Sequence, residues 1–280
     1  MSLQTRDFFQ ASPALLTGEQ PSASGAANLI ENCLGDVSNK TVLVVCEDPK
    51  YGWYDAAAPA AVSEELRARG ARVKQLIVGP PQNHPNAVVQ TAMNHADSVV
   101  FFARLGDQGR FNWNYKGPTC VMSYALNKTM LDGGYGRLDH HAMQMMKIAI
   151  DEVTIRACHI KVTCPNGTNF EGTTIAPSTH RSEVIINRFP LGISQPILND
   201  GFRGKAVLTN YLTPTGSLTY NPEYLAIDTP VTAHFEGNRI TGFTGAPDMV
   251  AAVEAHYADV AGSELGYQCH YQLYKAVHSR

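Results

Sequence analysis

His159-Ile160-Lys161-Val162-Thr163-Cys164-Pro165-Asn166-Gly167-Thr168-Asn169-Phe170-Glu171-Gly172 reads as a short alternating strand, a turn and the start of a second strand. Asn166-Gly167 is the strongest short hairpin signal a sequence offers, and it predicts a turn with positive φ at both residues. Upstream of this stretch, apolar strands alternate with helical periodicity. Downstream, short strands and turn signals recur until one late helix. The hairpin therefore marks the place where an α/β half hands over to a β-rich half.

Upstream, Ser24 caps a predicted helix over 25–34, with Ala26, Leu29, Ile30, Cys33 and Leu34 on one face and Gly35 as its stop. Thr41–Cys46 and Ser98–Ala103 are continuous apolar runs, the mark of parallel strands buried on both faces. Between them lie a helix over about 60–69 ending at Gly70, a strand at Val73–Val78, and a helix over about 86–95. Thr119–Met122 reads as a fourth strand. This βαβαβ order implies a parallel sheet with right-handed crossovers, which binds ligands beyond the carboxyl ends of its strands. Helices follow over 125–131 and 139–158, split by a turn at Asp132-Gly133-Gly134-Tyr135-Gly136.

Downstream, Ser182–Asn187, Ala206–Tyr211 and Ser217–Tyr220 read as strands. Val231–Phe235 and Arg239–Thr244 pair around Glu236-Gly237-Asn238, and a last helix from Pro247 turns Met249, Val250, Val253 and Tyr257 to one side. The organisation is an N-terminal arm over 1–24 with Phe8 and Phe9, an α/β domain over 25–158, and a β-rich, barrel- or sandwich-like domain over 159–280.

The composition narrows the function. A net charge of −3 with no basic block gives nucleic-acid binding no electrostatic support. No apolar run reaches the ~18 residues of a membrane span, and Met1–Gly25 lacks the pattern of a secretory signal, so a cytoplasmic location is expected. The six cysteines, at 33, 46, 120, 158, 164 and 269, show no Cys-x-x-Cys spacing and read as reduced thiols. The Gly cluster at 133–136 has neither GxGxxG nor Walker spacing.

Residues that carry chemistry are sparse. Among ten histidines there is no His-x-x-x-His pair, and His140-His141 would diverge by about 100° on a helix. His159 and His180 read as packing residues; His270 and His278 lie near Glu264 in sequence. Ser123 lacks the small neighbours of a nucleophile elbow, and Cys120 lies inside a strand. Asp48, Asp55 and Asp107 fall near strand ends, where a substrate amine could meet them; helix capping and loop solvation are the commoner roles. The aromatic residues Tyr51, Trp53 and Tyr54, and then Phe111, Trp113 and Tyr115 beside Arg110 and Lys116, fall in two predicted loops. Their composition suits a recognition surface or, equally, a contact with the other half or with a second subunit.

The order of motifs resembles the aminopeptidase T family of metal-dependent enzymes, whose relatives include dihydroxypyridine dioxygenases. The resemblance runs through Gly25–Gly79, Ala96-Asp97-Ser98-Val99-Val100, the hairpin Lys161–Phe170, Phe235-Glu236-Gly237-Asn238-Arg239-Ile240 and Glu264-Leu265-Gly266-Tyr267. The departures matter more. Ile193, in Pro190-Leu191-Gly192-Ile193, stands where the resemblance implies a metal-binding Glu. Glu264 matches a second ligand carboxylate, and the remaining ligands would fall beyond Arg280. One carboxylate does not hold a catalytic divalent metal.

The chain therefore looks like a truncated relative that keeps the scaffold without the metal, similar to the peptide-binding proteins of crocagin biosynthesis. That resemblance implies a homodimeric, non-catalytic accessory protein without a cofactor. It would bind a ribosomally made precursor peptide beside its tailoring enzymes; the residues expected to make that contact, from the composition of the two aromatic loops, are Tyr51, Trp53, Tyr54, Arg110, Phe111 and Trp113. The alternatives are a hydrolase or ring-cleaving dioxygenase with a rebuilt metal site using Glu264 and His270, and a purely structural subunit.

Overall fold

The computed structural model describes residues 24–82, 84–109, 115–173, 186–191, 201–212, 224–237 and 239–261. The arm with Phe8 and Phe9, residues 182–185, Ser217–Tyr220 and Asn238 lie outside these. Within them the chain is mixed α/β, with a parallel five-stranded sheet flanked by helices and an antiparallel five-stranded sheet.

The parallel sheet is built around β1 (Thr41–Glu47), which lies between β2 (Arg72–Val78) and β3 (Ser98–Phe102). Val42, Leu43, Val44 and Val45 are all buried, as are all five residues of β3, so both strands are apolar because both their faces are covered. β4 (Thr119–Ser123) extends the sheet beyond β3.

The first helix, α1 (Gly25–Leu29), starts at Ser24, whose hydroxyl accepts from Ala27 N at 3.1 Å, and continues as a π-helical turn over Ile30–Leu34. Helix α2 (Ala57–Ala68) packs on β1 and β2, and α3 (Ala87–Met93) packs on β1. The chain leaves β1 for β2 and then returns past β1 to β3. Right-handed crossovers in opposite directions place α2 and α3 on opposite faces and open a crevice at the carboxyl ends of β1 and β3.

The expected turn at 132–136 contains helical structure instead. Short helices α4 (Lys128–Leu131) and α5 (Gly134–Arg137) meet there. A β-carbon on Gly25 or Gly136 would run into the Leu131 carbonyl, so the glycines permit close approach as well as a bend. Helix α6 (His140–Arg156) then leads to the hairpin.

The hairpin forms as β5 (His159–Thr163) and β6 (Asn169–Thr173), antiparallel and in unbroken register. Its turn differs from the expectation. Gly167 N donates to Cys164 O at 3.0 Å, Cys164 N donates to Thr168 O at 3.0 Å, and Gly167 alone takes positive φ, at 101°. A two-residue hairpin closing on Asn166-Gly167 would need the residue before the turn to donate its N–H to Thr168 O. Pro165 has none, so Pro165 and Asn166 form an ordinary turn and Gly167 provides the left-handed step.

Asn187, expected to end a strand of the β-rich half, belongs to the other sheet. The chain does not stay in the β-rich half after the hairpin. β7 (Asn187–Phe189) pairs in parallel with β4, and Tyr124 N donates to Phe189 O at 2.7 Å, completing the first sheet. The chain then returns for β8 (Phe202–Leu212), β9 (Leu225–Glu236) and β10 (Arg239–Thr244), giving the order β10-β9-β8-β6-β5. Helix α7 (Pro247–Ala261) packs on β9 and β10 through Val253 and Tyr257, with Met249 and Val250 beside them.

Alternation organises the antiparallel sheet. One face carries Phe170, Phe202, Ala206, Val231, Ala233 and Phe235, all buried; the rings of Phe170 and Phe235 lie 5.2 Å apart. On the other face, the register lines up Lys161, Glu171, Arg203, Glu236 and Arg239, one residue from each strand and alternating in sign. Cross-strand opposite charges of this kind are worth roughly 0.2–1 kcal/mol each.

Candidate functional site

At the carboxyl ends of β1 and β3, several charged side chains lie near the predicted residues. Glu47 ends β1 and is only 1% exposed. Arg104 follows β3 in a 3-10 turn over Arg104–Gly109 and meets it. Arg104 donates to the Glu47 carboxylate from its backbone N at 3.0 Å, from Nε at 3.0 Å and from a terminal guanidinium nitrogen at 2.6 Å. The guanidinium also lies 4.5 Å from the centroid of the Trp53 ring. A buried carboxylate is tolerated because this fork neutralises it, and the indole face adds attraction.

Asp107, in the same turn, is buried and accepts from Tyr124 Oη at 2.8 Å. Asp48 accepts from Lys50 N at 3.0 Å and pairs with Lys50 Nζ at 2.9 Å. These contacts, with the Lys50 side chain foremost, hold the Asp48 carboxyl below the usual range. Asp55 accepts from Ala58 N at 2.8 Å and Lys128 N at 3.0 Å, tying the start of α2 to the start of α4. Asp48 and Asp55 thus cap backbone, and Asp107 belongs to an internal hydrogen bond.

The first aromatic loop divides. Tyr51 is 41% exposed and Lys50 Nζ lies 5.1 Å from its ring centroid. Trp53 is half-buried against the core. Tyr54, expected on the surface with them, is only 4% exposed: its hydroxyl donates to Ser123 O at 3.0 Å and its ring meets Phe102 edge-on. Burial raises its phenol pKa. Tyr54 is a core residue and offers no face to a ligand.

Arg110, Phe111 and Trp113 lie outside the described residues, as do His180, Ile193, Glu264, Cys269, His270 and His278. From the second loop, Tyr115 and Lys116 are described. Tyr115 sits at the amino end of β4, where its hydroxyl donates to Pro118 O at 3.0 Å. A connection between adjacent parallel strands runs the length of the sheet, so its two ends lie on opposite edges. Tyr115 therefore lies at the amino edge of the sheet, away from the first aromatic loop.

The other candidates resolve as structure. Ser123 is fully buried, and its hydroxyl accepts from Ala125 N at 3.3 Å. Cys120 is buried, lies 3.3 Å from Tyr115 Oη, and has its thiol pKa raised by burial. Cys33 Sγ lies 4.0 Å from His140 Nε2. Burial pushes that thiol up to about 12 and lowers the His140 imidazole, so the pair is neutral and supplies no thiolate. His140 stacks near Phe189, while His141 is exposed, so the adjacent histidines diverge. The five described cysteines are free thiols: Cys33 and Cys120 are buried, Cys46 and Cys164 half-buried and Cys158 exposed. Among the described residues no group of three or more His, Cys, Asp or Glu is placed to hold a metal ion, and no helix is long and apolar enough to cross a membrane.

The chain is thus an α/β protein whose parallel sheet presents a neutralised ion pair and aromatic rings at its switch point. Neither a protein-family model nor a curated protein matches the sequence. Among solved structures it is similar to 2,5-dihydroxypyridine dioxygenase from Pseudomonas putida KT2440, at 14% identity over 83% of this chain and 72% of that one, with a TM-score of 0.49. A likeness at that level assigns neither substrate nor reaction.

Proposed function

We propose that this chain is a non-catalytic peptide-binding protein, cytoplasmic and homodimeric, which holds a ribosomally made precursor peptide while tailoring enzymes act on it. The reading starts from the sequence resemblance to the aminopeptidase T family and to the peptide-binding proteins of crocagin biosynthesis, with Ile193 in place of a ligand carboxylate. The observation that carries it is the state of the carboxyl edge. Glu47, Asp48, Asp55 and Asp107 are each engaged in a cap, an ion pair or an internal hydrogen bond. Among the described residues, this edge carries the exposed Tyr51 ring and the half-buried Trp53. Aromatic rings braced by a cation suit recognition of a chain better than proton transfer.

Titration of the whole chain with a library of extended peptides, followed by tryptophan fluorescence, tests this. Trp53→Ala and Trp113→Ala are each expected to weaken binding by more than about 1 kcal/mol, roughly fivefold in Kd. Tyr51→Ala, at an exposed position, checks that the loss is local. Unchanged affinity in all three variants removes the aromatic loops as the site.

A further inference from the structure

We propose that the outer edge of β5 accepts an extended partner segment as a sixth strand of the antiparallel sheet, and that this segment carries an acidic residue between two apolar ones. The inference rests on the peptide-binding reading and names the class of peptide. β5 ends the sheet, and among the described residues no strand pairs with its outer edge. All five of its residues pair with β6 without a register shift, so no bulge bends the edge away. The opposite end of the sheet differs. β10 carries a register shift between Ile240 and Gly242, and α7 packs against it.

The side chains of β5 specify what would fit. Ile160 and Val162 are half-buried and lean on the cluster of Phe170, Phe202, Ala206 and Phe235. Apolar residues of an added strand opposite them would extend that cover. On the other face, Lys161 terminates a row of three cations and two anions. It lies 3.6 Å from Glu171, which His159 also approaches at 3.4 Å. A carboxylate opposite Lys161 continues the alternation and balances the row. His159 and Thr163 are exposed and take polar neighbours. Main-chain pairing then supplies affinity, and the alternating side chains supply selection. The competing role for Lys161 is that of an edge charge that discourages any pairing.

The two roles separate with the full chain and two fluorescein-labelled peptides, Ser-Thr-Val-Glu-Val-Thr-Ser and its Lys-centred counterpart. Fluorescence anisotropy is expected to show the Glu probe binding about five- to tenfold more tightly than the Lys probe. Lys161→Glu, at an exposed position that leaves the core intact, should invert that order. N-methylation of every residue in the Glu probe should abolish binding. Failure of both probes to bind, or an order that ignores residue 161, overturns the inference. Trp53→Ala distinguishes it from the aromatic reading. Probe affinity that falls in Trp53→Ala and ignores residue 161 keeps peptide binding and removes the edge. Binding that inverts at residue 161 in the Trp53→Ala background keeps the edge independently of the aromatic loop.

Discussion

In the parallel sheet, β1 runs through Val42, Leu43, Val44 and Val45 without a polar side chain, and its charge is confined to one end, where Glu47 is buried under Arg104. In the antiparallel sheet, each strand contributes one residue to a charged row on the open face, while the opposite face holds the core. The contrast shows two ways to place charge on a β-sheet. Where both faces are covered, a charge survives only at the rim, fully paired. Where one face is open, charges are many, solvated and individually cheap. The first arrangement concentrates electrostatic free energy in one pair; the second spreads it over the sheet.

The largest expected effect tests the concentrated pair. Glu47→Ala leaves the Arg104 guanidinium without its carboxylate and should cost about 3–5 kcal/mol of stability. The double variant Glu47→Ala/Arg104→Ala should cost less than the sum of the singles, as urea unfolding of all three will show. A cost below about 1 kcal/mol for Glu47→Ala would place the pair with the solvated ones and erase the contrast.

A smaller effect tests the distributed row. Arg203 lies between Glu171 and Glu236, whereas Arg239 faces Glu236 alone within the row. Arg203→Glu should therefore destabilise by about 1–2 kcal/mol and Arg239→Glu by about half as much, both shrinking at high salt. Equal effects would mean that the row acts as separate charges.

The smallest effect concerns His140, beside the parallel sheet. Burial holds its pKa below the ordinary value of 6.5, so the folded chain favours the neutral ring. The unfolded chain takes up the proton first as pH falls. Stability from this group is thus fully present above about pH 6.5 and is lost as pH falls towards the lowered folded pKa. His140→Gln should flatten this part of the urea midpoint profile between pH 7.5 and 5.5; an unchanged slope would assign the loss to other groups.

The sequence makes some of this legible for physical reasons. β1 and β3 are readable because burial on both faces leaves uninterrupted apolar runs. The hairpin is readable from its turn residues, but the turn type depends on an N–H that Pro165 lacks. β7 has only three residues, too few to establish a period. At the candidate site, residue type marks Tyr51, Trp53 and Tyr54 alike, yet only the fold decides that Tyr54 points inward. Glu47 and Arg104 are 57 residues apart and each follows an apolar run. A charge closing such a strand is the signal that would have paired them.

The return of β7 has a consequence for how the chain is made. The parallel sheet receives its last strand only after the β5–β6 hairpin has been synthesised, because Asn187–Phe189 follow the hairpin in sequence and join β4. A nascent chain ending at residue 160 contains β1 to β4 but lacks the strand that pairs with β4. The Asn187 amide, which donates to Cys33 O at 2.8 Å, cannot yet brace α1 and its π-helical extension. Cutting the gene between the two sheets would therefore leave the first fragment with an unfilled edge and the second with a strand that has no sheet to join.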